Sequence, residues 1–91
     1  MALLCGVPIS NISRQFGNTV RRRRTEAGLS QEKLAEKAGL HPTYISMVER
    51  GVKNPTLDVA MRISKGLKVP LPQLIEEAQS RRNWGKDGKA Q

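Results

Sequence analysis

The chain has 91 residues, enough for one domain near the lower size limit for a self-sufficient core. Sixteen basic residues against eight acidic ones give a formal charge of +8, which favours a polyanionic partner, most simply nucleic acid, over a plain basic surface. Phe16, Tyr44 and Trp84 are the only aromatics, so the core must be aliphatic, and the lone Cys5 excludes an internal disulfide.

The opening segment MALLCGVP is too short for a signal peptide and lacks its charged start, and no run approaches membrane-spanning length. A reducing cytoplasm is the expected compartment. A first helix is expected to start between Ser10 and Ser13 and to end near Ala27, with Gly28 as terminator and Ile12, Phe16 and Val20 as its buried stripe. Within it runs Arg21–Arg24. Four consecutive helical residues span nearly the whole circumference, so they cannot all meet one partner. Arg21 and Arg22 are read as solvated, with contact to a phosphate backbone open to them. Arg23 is read as laying its stem over the core with its head in water.

Ser30 is a good N-cap, and Leu34, Ala35 and Ala38 recur at helical spacing, giving a second helix over about Gln31–Ala38. Gly39 stops it. Pro42 suits the first turn of a third helix, about Pro42–Arg50, with Ile45, Val48 and Glu49 on one face and Thr43, Tyr44, Ser46 and Met47 around the other. A helix this short must dock its apolar face on something, so its polar face is presented on a rigid support. Lys53 and Asn54 follow and read as a phosphate clamp or as a simple polar turn ending in Pro55.

Thr56 caps a fourth helix, about Leu57–Leu67, with Asp58 in its first turn and Leu57, Ala60, Met61, Ile63 and Leu67 as its apolar positions. Pro70 breaks the chain, and Pro72 starts a fifth helix, about Pro72–Arg82, with Leu74, Ile75 and Ala78 on its apolar side. The ends, GKDGKAQ above all, have nothing to bury. His41 and Cys5 stand far apart, so neither a zinc site nor a nucleophile pair is expected; His41 reads as a turn residue. No carboxylate dyad or Ser–Lys spacing supports an enzyme, and no cofactor, metal or small-molecule ligand is expected.

Two short helices joined at a glycine, LSQEKLAEKAGLHPTYISMVERG, form the arrangement that places one helix in the DNA major groove. Together with FGNTVRRRR, KNPTLDVAMRISKGLKVP and LIEEA, in order and spacing, this stretch resembles the Cro/CI-type, or XRE, helix-turn-helix regulators. The likeness covers roughly Phe16–Ala78. The run HPTYISMVERGVKNPTL resembles a smaller group, the controller proteins of restriction–modification systems. The resemblance implies an all-α, five-helix lambda-repressor-like domain. Residues 1–9 are then an N-terminal extension, 10–83 the DNA-binding domain with its dimerisation helix, and 84–91 a basic flexible tail.

The resemblance further implies that Pro42, Thr43, Tyr44, Ser46 and Met47 approach base edges, with core packing the alternative for Tyr44 and Met47. Gln31 would hold a phosphate and prop the recognition helix, with Lys53, Asn54 and Arg22 as further phosphate contacts. Arg24 would pair with Glu49. Val69, Leu71, Leu74, Ile75 and Ala78, with Trp84, would form a homodimer surface; the alternative is that they only close the monomer core. The base-facing set holds no Arg, Asn or Gln, so direct readout is modest and DNA shape contributes much of the selectivity.

The implied function is an autoregulatory, cytoplasmic, nucleoid-associated operator binder of bacterial, phage or plasmid origin. It would act on double-stranded DNA as a homodimer, by promoter occlusion or contact with RNA polymerase. An antitoxin or other protein-binding module, and a non-specific chromatin-like protein, remain open.

Overall fold

The computed structural model describes residues 7–80, with side chains from Ile12 onward. Five helices follow one another: α1 (Val7–Glu26), α2 (Gln31–Ala38), α3 (Pro42–Glu49), α4 (Leu57–Leu67) and α5 (Leu71–Gln79). No strand occurs among the described residues. The expected all-α class and the order of elements agree with this.

Local chemistry sets most helix ends. The Ser30 side chain accepts from the Lys33 amide at 3.0 Å and the Thr56 hydroxyl from the Val59 amide at 3.1 Å, each satisfying an amide that the helix leaves unpaired. Gly39 ends α2 at φ 71°, a left-handed conformation that costs glycine little. Two helices differ from expectation at their ends. Helix α1 is already formed at Val7, the first described residue, ahead of the expected start between Ser10 and Ser13. Helix α5 begins one residue early, with Pro70 before it and Pro72 in its first turn, and gives way to extended backbone at Ser80.

The core is mainly aliphatic, with Phe16 buried in it and Tyr44 packed against it. Val20, Leu34, Ile45, Val48, Ile63 and Leu74 are its largest fully buried side chains. Each contributes about 1.5–3 kcal/mol by burial. Ile12 lies outside the stripe assigned to it and is 37% exposed, at the rim of a groove that Phe16 floors. Leu57 and Met61 were expected inside. They sit 60–100° round α4 from Ala60 and are 81% and 44% exposed.

Close approach of backbones fixes the arrangement. A Cβ on Gly17 would stand 2.1 Å from the Val48 carbonyl oxygen and 2.9 Å from that of Glu49, so α1 lies directly on the end of α3. A Cβ on Gly66 would come within 3.0 Å of Leu34 Cδ1, where α4 crosses α2.

Candidate nucleic-acid interface

Helix α3 is short, and its neighbours hold it at both ends. At its start His41 is the N-cap: Nδ1 accepts from the Thr43 amide at 3.1 Å. The residue read as a turn position thus has a defined role, and Pro42 follows it in the first turn. Along its inner face Ile45 and Val48 are fully buried.

At its end the Glu49 carboxylate is almost wholly enclosed, its side chain 3% exposed. Three donors reach it: Arg24 Nε at 2.6 Å to Oε2, Arg24 Nη2 at 3.1 Å to Oε1, and Gln31 Nε2 at 3.0 Å to Oε1. Arg24 Nη1 also donates to the Leu29 carbonyl at 2.8 Å. A two-pronged guanidinium–carboxylate pair fixes direction as well as distance. Through it α1, the start of α2 and the end of α3 are locked together. The outward face carries Thr43, exposed, with Ser46 and Met47 half-buried. Tyr44 packs its ring against the core, so only part of it faces outward; Pro42 is half-buried. A rigid helix thus presents a short polar face beside the N-terminus of a second helix.

The family signature described as helix-turn-helix matches residues 20–74. The chain belongs to the helix-turn-helix family. It is 46% identical over 68 residues to the control protein C.BamHI of Bacillus amyloliquefaciens, spanning 74% of this chain and 84% of that one. It is 40% identical over 72 residues to the control protein C.SmaI of Serratia marcescens, spanning 79% and 82%. Among solved structures, the restriction–modification controller protein C.AhdI from Aeromonas hydrophila superposes with a TM-score of 0.66 at 38% identity, covering 67% of this chain and 92% of that one. The protein is therefore a DNA-binding transcriptional regulator of the XRE, controller-protein type and not an enzyme.

In this helix-turn-helix protein the remaining expected residues divide. Lys53 and Asn54 are exposed in the turn after α3, and Asn54 Oδ1 accepts a hydrogen bond from Ser13 Oγ on α1. Arg22 does not join them. It lies about 160° round α1 from Arg24, and its Nη2 contacts Glu77 Oε1 of α5 at 2.6 Å. Arg23 corrects a second reading, because its head is not left to water. Its Nε donates to Glu77 Oε1 at 3.1 Å, and its Nη2 reaches Oε2 of the same carboxylate. The hydrogen bond from Arg23 holds the Glu77 carboxyl below its usual range, against the opposing effect of burial, and the same bond raises Arg23.

The expected dimer residues divide as well. Leu74 and Ala78 are fully buried inside the monomer, four residues apart on the inner face of α5, so they form no surface. Leu71 and Ile75, one position round the helix, line a shallow apolar groove with Ile12, Phe16, Pro55 and Leu57. Val69 lines a separate depression with Met61 and Pro70, which shares Leu71 with the groove. Trp84 lies outside the described residues. Leu57 and Met61 belong with this surface, and the sequence reading missed them there; their offset on the α4 wheel was the available signal. Among the described residues no cluster of His, Cys, Asp or Glu fits a metal ion, and no helix is long and apolar enough to cross a membrane.

Proposed function

We propose that the protein binds a near-palindromic operator as a homodimer and regulates its own gene, in the cytoplasm and on the nucleoid. The observation that carries this reading is the enclosure of Glu49 by Arg24 and Gln31, which holds α3 rigid with Thr43 and Ser46 outward. Helix α3 enters the major groove, and two half-sites about 34 Å apart receive the two copies. Thr43 and Ser46 exchange hydrogen bonds with base edges, the Thr43 methyl meets a thymine methyl, and Pro42 and Met47 add apolar contact. Tyr44 reaches outward with its hydroxyl while its ring stays on the core. Gln31, at the α2 N-terminus, uses one amide hydrogen on Glu49 and offers the other, with the helix dipole, to a phosphate. Lys53 and Asn54 hold the adjoining backbone.

The dimer surface is the exposed apolar face of α4 and α5. Leu71, Ile75 and Val69 remain from the expected set, and Leu57 and Met61 join them. Likeness to the control proteins favours a restriction–modification setting, in which occupancy follows protein concentration and the bound dimer excludes or contacts RNA polymerase.

A footprint on DNA upstream of the protein's own gene, at about 150 mM salt with excess random competitor, tests the reading. A protected palindrome is the expected result. Binding with no preferred site would replace it with a chromatin-like role, and no binding would favour a partner protein as first target.

A further inference from the structure

Helix α1 is registered against the chain leaving α3 at three points. Ser13 Oγ donates to Asn54 Oδ1. A Cβ on Gly51 would stand 3.1 Å from Arg14 Cα. A Cβ on Gly17 would collide with the Val48 carbonyl oxygen at 2.1 Å. The α1 backbone from Ser13 to Gly17 therefore rests on the segment from Val48 to Asn54. Arg14 lies about 60° round the helix from Gly17, on the flank of this contact, and is exposed.

The charges gathered here are unbalanced. Arg50, the C-cap of α3, and Lys53 are exposed in the same segment. Neither they nor Arg14 has an ion-pair partner among the described residues. The neighbouring acids are taken: Glu49 by Arg24 and Asp58 by Arg62. In the Arg21–Arg24 run, Arg22 and Arg23 are held by Glu77 and Arg24 by Glu49, while Arg21 is exposed and has no ion pair among the described residues. Three exposed cations on the two segments of this contact, none neutralised by an ion pair among the described residues, favour an anion beside them.

We propose that Arg14 is a DNA phosphate ligand, gripping the backbone beside the recognition helix together with Arg50 and Lys53. The proposal rests on the DNA-binding reading above and moves the α1 phosphate contact from Arg22 to Arg14. The register with Gly51 and Asn54 means that Arg14 travels rigidly with α3, so it fixes the depth and angle of that helix in the groove. A phosphate contact carries no base information, so Arg14 acts on affinity and not on the choice of sequence.

The test uses the full chain and a duplex that the wild-type protein selects from a random-sequence pool. Affinity is measured across a salt series for wild type, Arg14→Ala, Arg14→Lys and Lys37→Ala. Lys37 serves as control because it lies on α2 beside Gly66 of α4, away from the segment after α3. Loss of one phosphate contact lowers the slope of log K against log salt by about 0.9. Between 50 and 200 mM salt the affinity of Arg14→Ala should therefore fall about 3.5-fold less than that of wild type. Arg14→Lys should restore the wild-type slope, Lys37→Ala should keep it, and Arg14→Ala should select the same sequence. A wild-type slope in Arg14→Ala, or an equal change in Lys37→Ala, overturns the proposal while leaving operator binding intact. Failure of the wild-type protein to enrich any sequence overturns both.

Discussion

Arg24 and Glu49 meet edge to edge, Nε to Oε2 at 2.6 Å and Nη2 to Oε1 at 3.1 Å, with both side chains largely enclosed. A buried pair adds little net stability over an apolar isostere, but removing one partner strands a charge. Glu49→Ala should therefore lower stability by about 3–5 kcal/mol and release α3. Replacing both partners should cost less than the sum of the single changes. Denaturant midpoints for the two single variants and the double variant, with affinity for the operator, decide this. Additive losses would mean that the pair does not act as a unit.

Gly17 gives a prediction whose sign runs against helix propensity. Alanine in an exposed helix interior is favoured over glycine by about 1 kcal/mol. Here the added methyl would meet two backbone oxygens, from Val48 and Glu49, that cannot swing aside. Overpacking typically costs about 1–3 kcal/mol, and a clash with backbone belongs at the upper end. Gly17→Ala should thus be destabilising and should weaken DNA binding by lifting α1 off α3. A melting temperature at or above that of wild type would show that the two helices part freely.

Glu77 links folding to acid pH. Its carboxyl is held low mainly by the hydrogen bond from Arg23. A depressed carboxyl stabilises the fold above its unfolded value, about pH 4.3, and that contribution is lost as pH falls through the folded value. Arg23, though raised, stays protonated throughout and adds no pH dependence. Wild type should therefore lose more stability than Glu77→Gln between about pH 5 and 3, as read from urea midpoints. Parallel curves for the two proteins would remove the clasp between α1 and α5 from the account.

What the sequence made legible follows from the range of each interaction. The α2–turn–α3 unit could be read because Ser30, Gly39 and Pro42 act within a turn or two of their own positions. The fate of Arg22 and Arg23 could not, since Glu77 lies 55 and 54 residues away and belongs to another helix. Helical spacing found the apolar positions of α4 and α5 but not which neighbour covers them. Leu74 thus proved to be core, while Leu57 and Met61 proved to be surface. The pair Arg24–Glu49 was expected only through likeness to a family; charge and spacing alone do not choose Arg24 from a run of four.

That exchange of core and surface changes how dimerisation must be tested. Leu74 is fully enclosed, so Leu74→Glu would bury an unpaired carboxylate and unfold the monomer, whatever its state of assembly. Met61 is 44% exposed and shares an apolar surface with Leu71 and Ile75. Met61→Glu places the charge in water in a monomer and against apolar side chains in a dimer. The variant should keep the wild-type circular dichroism spectrum, sediment as a monomer, and lose cooperative occupation of paired half-sites while still contacting a single one. If it sediments as a dimer, the two copies meet elsewhere than on the α4–α5 face.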